Sequence, residues 1–449
     1  MFKLPFRLSL ISGACACILI HAQPASAISL IQAYQAALQN DPQHRSAKAD
    51  NDLGKQYEVI GRAGLLPQAQ YGYSLTRNKG ESVSPPNLFG VTRSNLDYLS
   101  TSKSVSVRQT LFNLDSYARF KQGVVQTKYS AAQFDARSKE LMSRVLTAYV
   151  EAKFAEDQLN LFKAQRDSYA EQRKLNQRLF EKGEGTRTDM LETQAKLDVA
   201  EAVILEAEDN LFNARNTLTA IIGMDITSLD NLREGAEYSY LIDGDFESWR
   251  SITTANNPEL AAAQLSVEIS EQEIAKSRAG HAPRLDLSAN YNHGKSETIT
   301  TLQQDNNVRS VGVQLVIPIY SGGYVNATSK QAVAQKEKAL ADLENVRNRV
   351  MNELRKQYNG LKSSVAKIAA LQNSVSSATQ LVEATKQSVK GGVRINLDLL
   401  GAQQQLVSTK RDLAQARYSY LSSFVKLKVT AGTANLDDLQ TVASFFSAD

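Results

Sequence analysis

Cysteine is nearly absent from this chain: among 449 residues there are two, Cys15 and Cys17, both inside an apolar run near the N-terminus. Disulfides and thiol chemistry are thereby excluded from everything downstream. Proline is scarce at nine residues and tryptophan occurs once; with abundant Ala, Gln, Leu and Lys, the composition leans helical. The three histidines beyond the N-terminal segment, His44, His281 and His293, stand at no ligand spacing, so no metal site is read. No phosphate loop, nucleophile elbow or paired-acid system occurs. The reading is therefore of no enzyme and no cofactor. A net charge of +4, with no basic run or aromatic-basic cluster, argues against nucleic acid. Past residue 27 no stretch approaches the roughly 18 consecutive apolar residues of a membrane helix. If the chain crosses a membrane, it must do so as strands.

Residues 1–27 read as a secretory signal, with Lys3 and Arg7 before an apolar stretch from Leu8 to Ile20 and a small-residue cleavage site at Ala25-Ser26-Ala27. Neither Cys15 nor Cys17 has the leucine three residues earlier that a lipid-bearing cysteine expects.

The remaining chain repeats itself. Arg62-Ala63-Gly64-Leu65-Leu66-Pro67 returns as Arg278-Ala279-Gly280-His281-Ala282-Pro283, and Asn40-Asp41-Pro42 as Asn256-Asn257-Pro258. Each Gly and Pro ends a helical pattern and starts a strand pattern. Ala69, Tyr71, Tyr73 and Leu75 alternate with Gln68, Gln70, Gly72, Ser74 and Thr76. Leu285, Leu287, Ala289 and Tyr291 likewise alternate with Arg284, Asp286, Ser288, Asn290 and Asn292. Period two over about ten residues puts one face in an apolar medium and one in a polar medium, at the length of a tilted strand crossing a bilayer. Val105, Val107 and Leu111, then Val311, Val313, Leu315, Ile317 and Ile319, mark a second strand in each unit. The four tyrosines Tyr71, Tyr73, Tyr291 and Tyr320 fit a membrane-interface girdle or plain strand positions equally well.

The predicted plan is a tandem duplication. The first unit covers 28–223, with strands about 67–77 and 103–112, a long helix, a turn at 182–189 and a returning helix. The second covers 251–432, with strands about 284–293 and 309–320 and a turn at 390–398. Residues 224–250 link the units and 433–449 form a tail, and both are expected to pack as a belt around the helices. Polar loops are expected at about 78–102, which contains Pro85-Pro86, and at 294–308. From Leu141 through Val145, Ala148, Ala152, Ala155 and Leu159 to Phe162 the apolar residues step by four and three, a coiled-coil seam. The turns carry glycines to stop one helix, Thr188 or Asn396 to cap the next, and Asp189 or Asp398 in its first turn. Four strands cannot close a membrane barrel, and open edges are not tolerated in lipid, so the chain must oligomerise.

The whole mature chain resembles the TolC family of outer-membrane export channels. The resemblance rests on the duplication, Asn40-Asp41-Pro42, Arg62-Ala63-Gly64 with Pro67, Leu111-Phe112, the 183–189 turn, Pro318-Ile319-Tyr320-Ser321-Gly322-Gly323, Asp398-Leu399-Leu400 with Gln403, and Ala431-Gly432. It implies an α+β fold: a homotrimer whose twelve-stranded outer-membrane barrel continues into a long helical coiled-coil tunnel in the periplasm of a Gram-negative bacterium. The branch it looks like is the one serving type I protein secretion. There the partners are outer-membrane lipid, a periplasmic adaptor, an inner-membrane ABC transporter and an exported protein cargo. A drug or metal efflux duct is the alternative, and a surface adhesin or stalk the more distant one. By resemblance Asp398 and Arg394 belong to a periplasmic gate. Gly401 stands where the family has a second acid, and Val389 lies near the place of a gating tyrosine. Gly183, Gly185, Thr186, Arg187 and Asp189, with Gly391, Gly392 and Asn396, become adaptor-docking tips.

Overall fold

The computed structural model describes residues 27–83, 90, 91, 93–233, 236, 238, 244–296 and 304–447. Nearly all of the expected signal and the Pro85-Pro86 pair lie outside the described residues. So do parts of the expected linker and of the second polar loop.

Three short helices open the chain, α1 (Leu30–Asn40), α2 (Pro42–Gly54) and α3 (Gln56–Ala63), followed by strands β1 (Gln68–Val83) and β2 (Arg93–Asn113). Two rods follow, α4 (Leu114–Glu181) and α5 (Arg187–Ile222), then a two-residue strand β3 (Asn231–Leu232). The second half repeats this order with α6 (Phe246–Asn256), α7 (Pro258–Arg278), β4 (Arg284–Ser296), β5 (Gln304–Val316), α8 (Tyr324–Lys390) and α9 (Asn396–Ala431). It closes on α10 (Leu436–Ala443) and β6 (Phe446–Ser447). The start of α6 trails that of α1 by 246 − 30 = 216 residues and that of α9 trails α5 by 396 − 187 = 209. The duplication is thus structural as well as sequential. At 1.5 Å per residue the 68-residue α4 is a rod about 100 Å long.

The repeated Asn-Asp-Pro and Asn-Asn-Pro corners are helix starts. Asp41 and Asn257 cap α2 and α7 by accepting the His44 and Leu260 N–H at 2.8 Å each, with the proline at the first helical position, where its missing N–H costs nothing. Asn257 also donates to the Thr430 carbonyl at 2.8 Å, tying that corner to the end of α9. A Cβ on Gly432 would sit 2.2 Å from the Asn256 carbonyl oxygen. Only glycine lets the two backbones meet there.

Leu141, Val145, Ala148, Ala152, Ala155 and Leu159 are all buried along α4, as are Leu197, Ala200, Ile204, Ala207 and Leu218 along α5. The four-three spacing therefore marks the packing seam. Midway along the rods sits the largest core. There Tyr149 is fully buried, its hydroxyl donating to the Ile28 carbonyl at 2.9 Å and accepting from the Asp230 N–H at 3.1 Å. Buried Lys153 bonds Asn231 and lies 3.4 Å from Asp157, which accepts from the Tyr418 hydroxyl at 2.6 Å. The linker and the C-terminal tail are joined by the antiparallel β3–β6 pair.

Burial pushes the hydroxyls of Tyr238 and Tyr420 in this core up to about 12. Both are near 10 when unfolded, so the neutral forms contribute stability that is full below pH 10 and lost as the pH rises through 12. Trp249, the one tryptophan, is buried beside Lys428. Its emission is expected to shift red between about pH 10 and pH 12. Emission unchanged across that window would contradict this assignment.

Several expectations change in detail. The strands run further than predicted at their outer ends, because charged cross-strand pairs replace the apolar pattern: Arg77 grips Asp97 at 2.8 and 2.9 Å. Most of the stretch expected as loop is therefore ladder. At the other end β5 stops at Val316, before Pro318, which cannot donate to a ladder. Leu111 is not a face residue. The register steps from Thr110↔Asp286 to Phe112↔Leu285, so Leu111 is the extra residue of a bulge and Phe112 takes its place on the apolar face.

Candidate functional site

Two regions carry the chemistry of a conduit, the sheet and the helical tips. The sheet is antiparallel in the order β1-β2-β4-β5, leaving one edge of β1 and one edge of β5 without a partner among the described residues. Its register sets out two unlike faces. On one, the row Ala69–Val107–Ala289–Val311 lies beside Tyr71–Val105–Tyr291–Arg309 and Leu287–Val313. On the other, Gln70–Ser106–Asn290–Ser310 and Gly72–Ser104–Asn292–Val308 follow each other in small, mostly polar residues. Val311 is 77% exposed on the apolar face. That face suits lipid and the other suits water. Tyr71 and Tyr73 are exposed on the apolar face, while Tyr320 lies beyond the end of β5.

At the first tip α4 ends at Glu181. Gly183 adopts φ +76°, and the Glu184 and Gly185 N–H groups both bond the Leu179 carbonyl, at 2.8 and 3.1 Å. The cap of α5 is Thr186 rather than Thr188. Its hydroxyl accepts the Asp189 N–H at 3.1 Å and lies 2.6 Å from the Asp189 carboxylate. Gly183, Thr186 and Arg187 are exposed; Gly185 and Asp189 are half-buried.

The second tip differs in kind. Gly391 and Gly392 turn the chain, with Gly392 at φ +72°. The residue before α9 is Ile395, which makes no side-chain cap. Asp398 in the first turn is the only acid there to offset the bare N–H groups. Val393 is 82% and Ile395 62% exposed, next to exposed Arg394 and Leu397. One tip is therefore polar and the other apolar.

Asn396 does not cap α9, and its side chain is not on the surface. It is 5% exposed and lies in a buried amide-hydroxyl cluster. Its Nδ2 donates to the Thr193 hydroxyl at 3.0 Å, and its Oδ1 accepts from Gln172 at 2.9 Å. Asn176 donates to the same hydroxyl at 2.8 Å, and that hydroxyl donates to the Asp189 carbonyl at 2.8 Å. The cluster joins α4 and α5 of the first hairpin to α9 of the second. Just above it Leu400 is fully buried among Tyr169, Leu197 and Ala200. Sequence reasoning missed Gln172, Asn176 and Thr193. A signal existed: Phe162, Tyr169 and Asn176 continue the α4 seam at sevens, and a polar residue in such a seam fixes register at a cost in stability.

Asp398 and Arg394 are both exposed, four positions apart. Asp398, Gly401 and Gln405 share one exposed face of α9, opposite buried Leu399 and Leu400. A Cβ at Gly401 would meet nothing within 4 Å.

A sheet with one lipid-facing side, continued by long antiparallel helical hairpins that end in glycine turns, defines an outer-membrane channel of TolC-like fold with its helices in the periplasm of a Gram-negative cell. The outer membrane efflux protein family matches residues 33–224 and 249–433, and the chain belongs to that family. It is 39% identical over 431 residues to the alkaline protease secretion protein AprF of Pseudomonas aeruginosa, covering 96% of this chain and 89% of that one. It is 37% identical over 435 residues to the proteases secretion protein PrtF of Dickeya chrysanthemi, covering 94% and 92%. Among solved structures, the Campylobacter jejuni CmeC outer membrane channel superimposes with a TM-score of 0.78 at 18% identity, covering 99% of this chain and 98% of that one.

Proposed function

We propose that three copies of this chain close a twelve-stranded barrel, and that the assembly is the passive outer duct of a type I secretion system. The cargo is a protein, of the class that the names of AprF and PrtF indicate. The observation that carries the conduit is the two-faced, four-stranded sheet with both edges open. Unpaired edges cost several kcal/mol per group in lipid, so further copies must pair them. Energy enters from an inner-membrane ABC transporter through a periplasmic adaptor. The adaptor docks on the tips: Gly183, Gly185, Thr186, Arg187 and Asp189 form a polar platform, and Gly391 and Gly392 present the apolar Val393 and Ile395. Asn396, being buried, holds the second tip in place rather than touching a partner.

The test is an inventory of proteins in the growth medium of cells with and without the chain. Loss of one or a few proteins that lack N-terminal signals is the expected result. An unchanged inventory together with new drug or metal sensitivity would replace secretion with efflux.

The gate reading places Asp398 on the tunnel side of α9 as one carboxylate ring. Asp398→Asn should weaken block by divalent cations in planar bilayers about tenfold, and Gly401→Asp, for which the side chain has room, should strengthen it by a similar factor. Block that responds to neither substitution would remove both positions from the gate.

A further inference from the structure

The polar face of the sheet is almost free of charge. Going up β1 it presents Gln68, Gln70, Gly72, Ser74, Thr76 and Asn78, and above Arg108 the rows of β2, β4 and β5 beside them hold Ser, Asn, Gly, Gln and Val, with Tyr98 opposite Asn78. Among the described residues the ionised side chains on this face are Arg108, Arg284 and Asp286, all in the lowest rows, where the sheet meets the helices. Arg77, Lys79, Asp97, Lys295, Asp305 and Arg309 all fall on the opposite face.

The three charges do not cancel. Asp286 is 4% exposed, and both its oxygens are engaged: Arg108 donates to one at 2.5 Å and the Thr110 hydroxyl to the other at 3.2 Å. The Arg108 side chain is 57% exposed, so the acid is buried beneath its partner while the guanidinium stays at the surface. Arg284, two residues before Asp286 on the same face and exposed, adds a second cation. Each chain therefore offers two surface cations over one buried carboxylate, a net charge of +1.

We propose that Arg284 and Arg108 form a cationic collar at the inner mouth of the barrel, making that mouth favour small anions and the acidic side chains of passing cargo over cations. This rests on the proposed trimeric channel, in which the polar face lines the lumen and the collar carries three net positive charges. Above it the lumen wall offers neutral groups, so the collar is the last charged contact before the exterior end of the described strands. The collar and the Asp398 ring lie at opposite ends of the helical part of the duct and carry opposite signs. The selectivity of the whole channel is then the balance of two separable rings.

The experiment is the chloride-to-potassium permeability ratio of the full-length protein in planar bilayers under a KCl gradient. It is taken at about 10 mM, where charges act over about 30 Å, and at about 1 M, where they act over about 3 Å. Arg284→Gln leaves the Arg108–Asp286 pair intact, so the sheet keeps its clamp. It should lower the ratio about threefold at low salt and leave it unchanged at high salt. Arg284→Lys, which keeps the charge, should retain the parent ratio. A parent that conducts while Arg284→Gln leaves the ratio unmoved at low salt overturns the collar alone. A parent that never conducts overturns the channel reading and the collar together.

Discussion

Val311→Arg is expected to abolish stable residence in the outer membrane, while Ser310→Arg, one residue away, assembles like the parent. Val311 stands on the apolar face in the row Ala69–Val107–Ala289–Val311 and is 77% exposed in the isolated chain. An arginine on a lipid-facing strand position costs about 2–4 kcal/mol near the middle of the bilayer, and every copy in a closed barrel adds that cost again. Ser310 points the other way, in the row Gln70–Ser106–Asn290–Ser310. There an arginine meets water and neighbours with small side chains. Membrane fractionation, with the fraction of detergent-resistant oligomer as a second readout, separates the two variants. If Ser310→Arg fails and Val311→Arg assembles, the faces have been assigned the wrong way; if both behave alike, the sheet does not enter lipid.

Thr193→Val should open the periplasmic end. The substitution keeps the shape of the side chain and deletes one hydroxyl, which accepts from Asn176 and Asn396 and donates to the Asp189 carbonyl. Two buried amides then lose a partner, each at about 1–3 kcal/mol. That loss falls on the cluster holding α9 against the first hairpin. Asp398 is two residues from Asn396, so release of one moves the other. The expected results are a larger single-channel conductance and cells sensitised to bulky antibiotics that the closed duct excludes. Asn176→Leu combined with Thr193→Val and Asn396→Leu removes most of the unmet polar demand and should restore much of the closed state, because a matched apolar cluster costs far less than a half-satisfied polar one. A Thr193→Val channel with parental conductance and unchanged antibiotic exclusion would show that the cluster holds the fold but not the gate.

The two tips illustrate why sequence and structure divide the labour as they do. Their glycines and first-turn acids are visible in sequence because helix ends impose local rules on residues a few positions apart. The cap is subject to the same rule, yet it falls on Thr186 in the first tip, and in the second, at Ile395, there is none. Boundaries shift by a residue or two when the exposed turn, rather than the pattern inside the helix, decides where the first N–H is met. Asn396 shows the larger gap: its partners Gln172 and Thr193 lie 224 and 203 positions away, and no local pattern names them.

By itself the sequence determined the duplication, the alternation of the strands and the seams of the rods, since each is a periodicity imposed by backbone geometry on neighbouring residues. It also carried the expectation that any membrane crossing is made by strands, since past residue 27 no stretch approaches roughly 18 consecutive apolar residues. Only the tertiary structure decided which residues stand opposite one another. The bulge at Leu111 hands the apolar face to Phe112, cross-strand register gathers Arg108, Arg284 and Asp286 at one rim, and antiparallel return brings Asn396 onto Thr193. Those pairings join residues from about 170 to more than 200 positions apart. Long-range contact depends on the register of whole elements, which is set by their packing and not by the residues beside them in the chain.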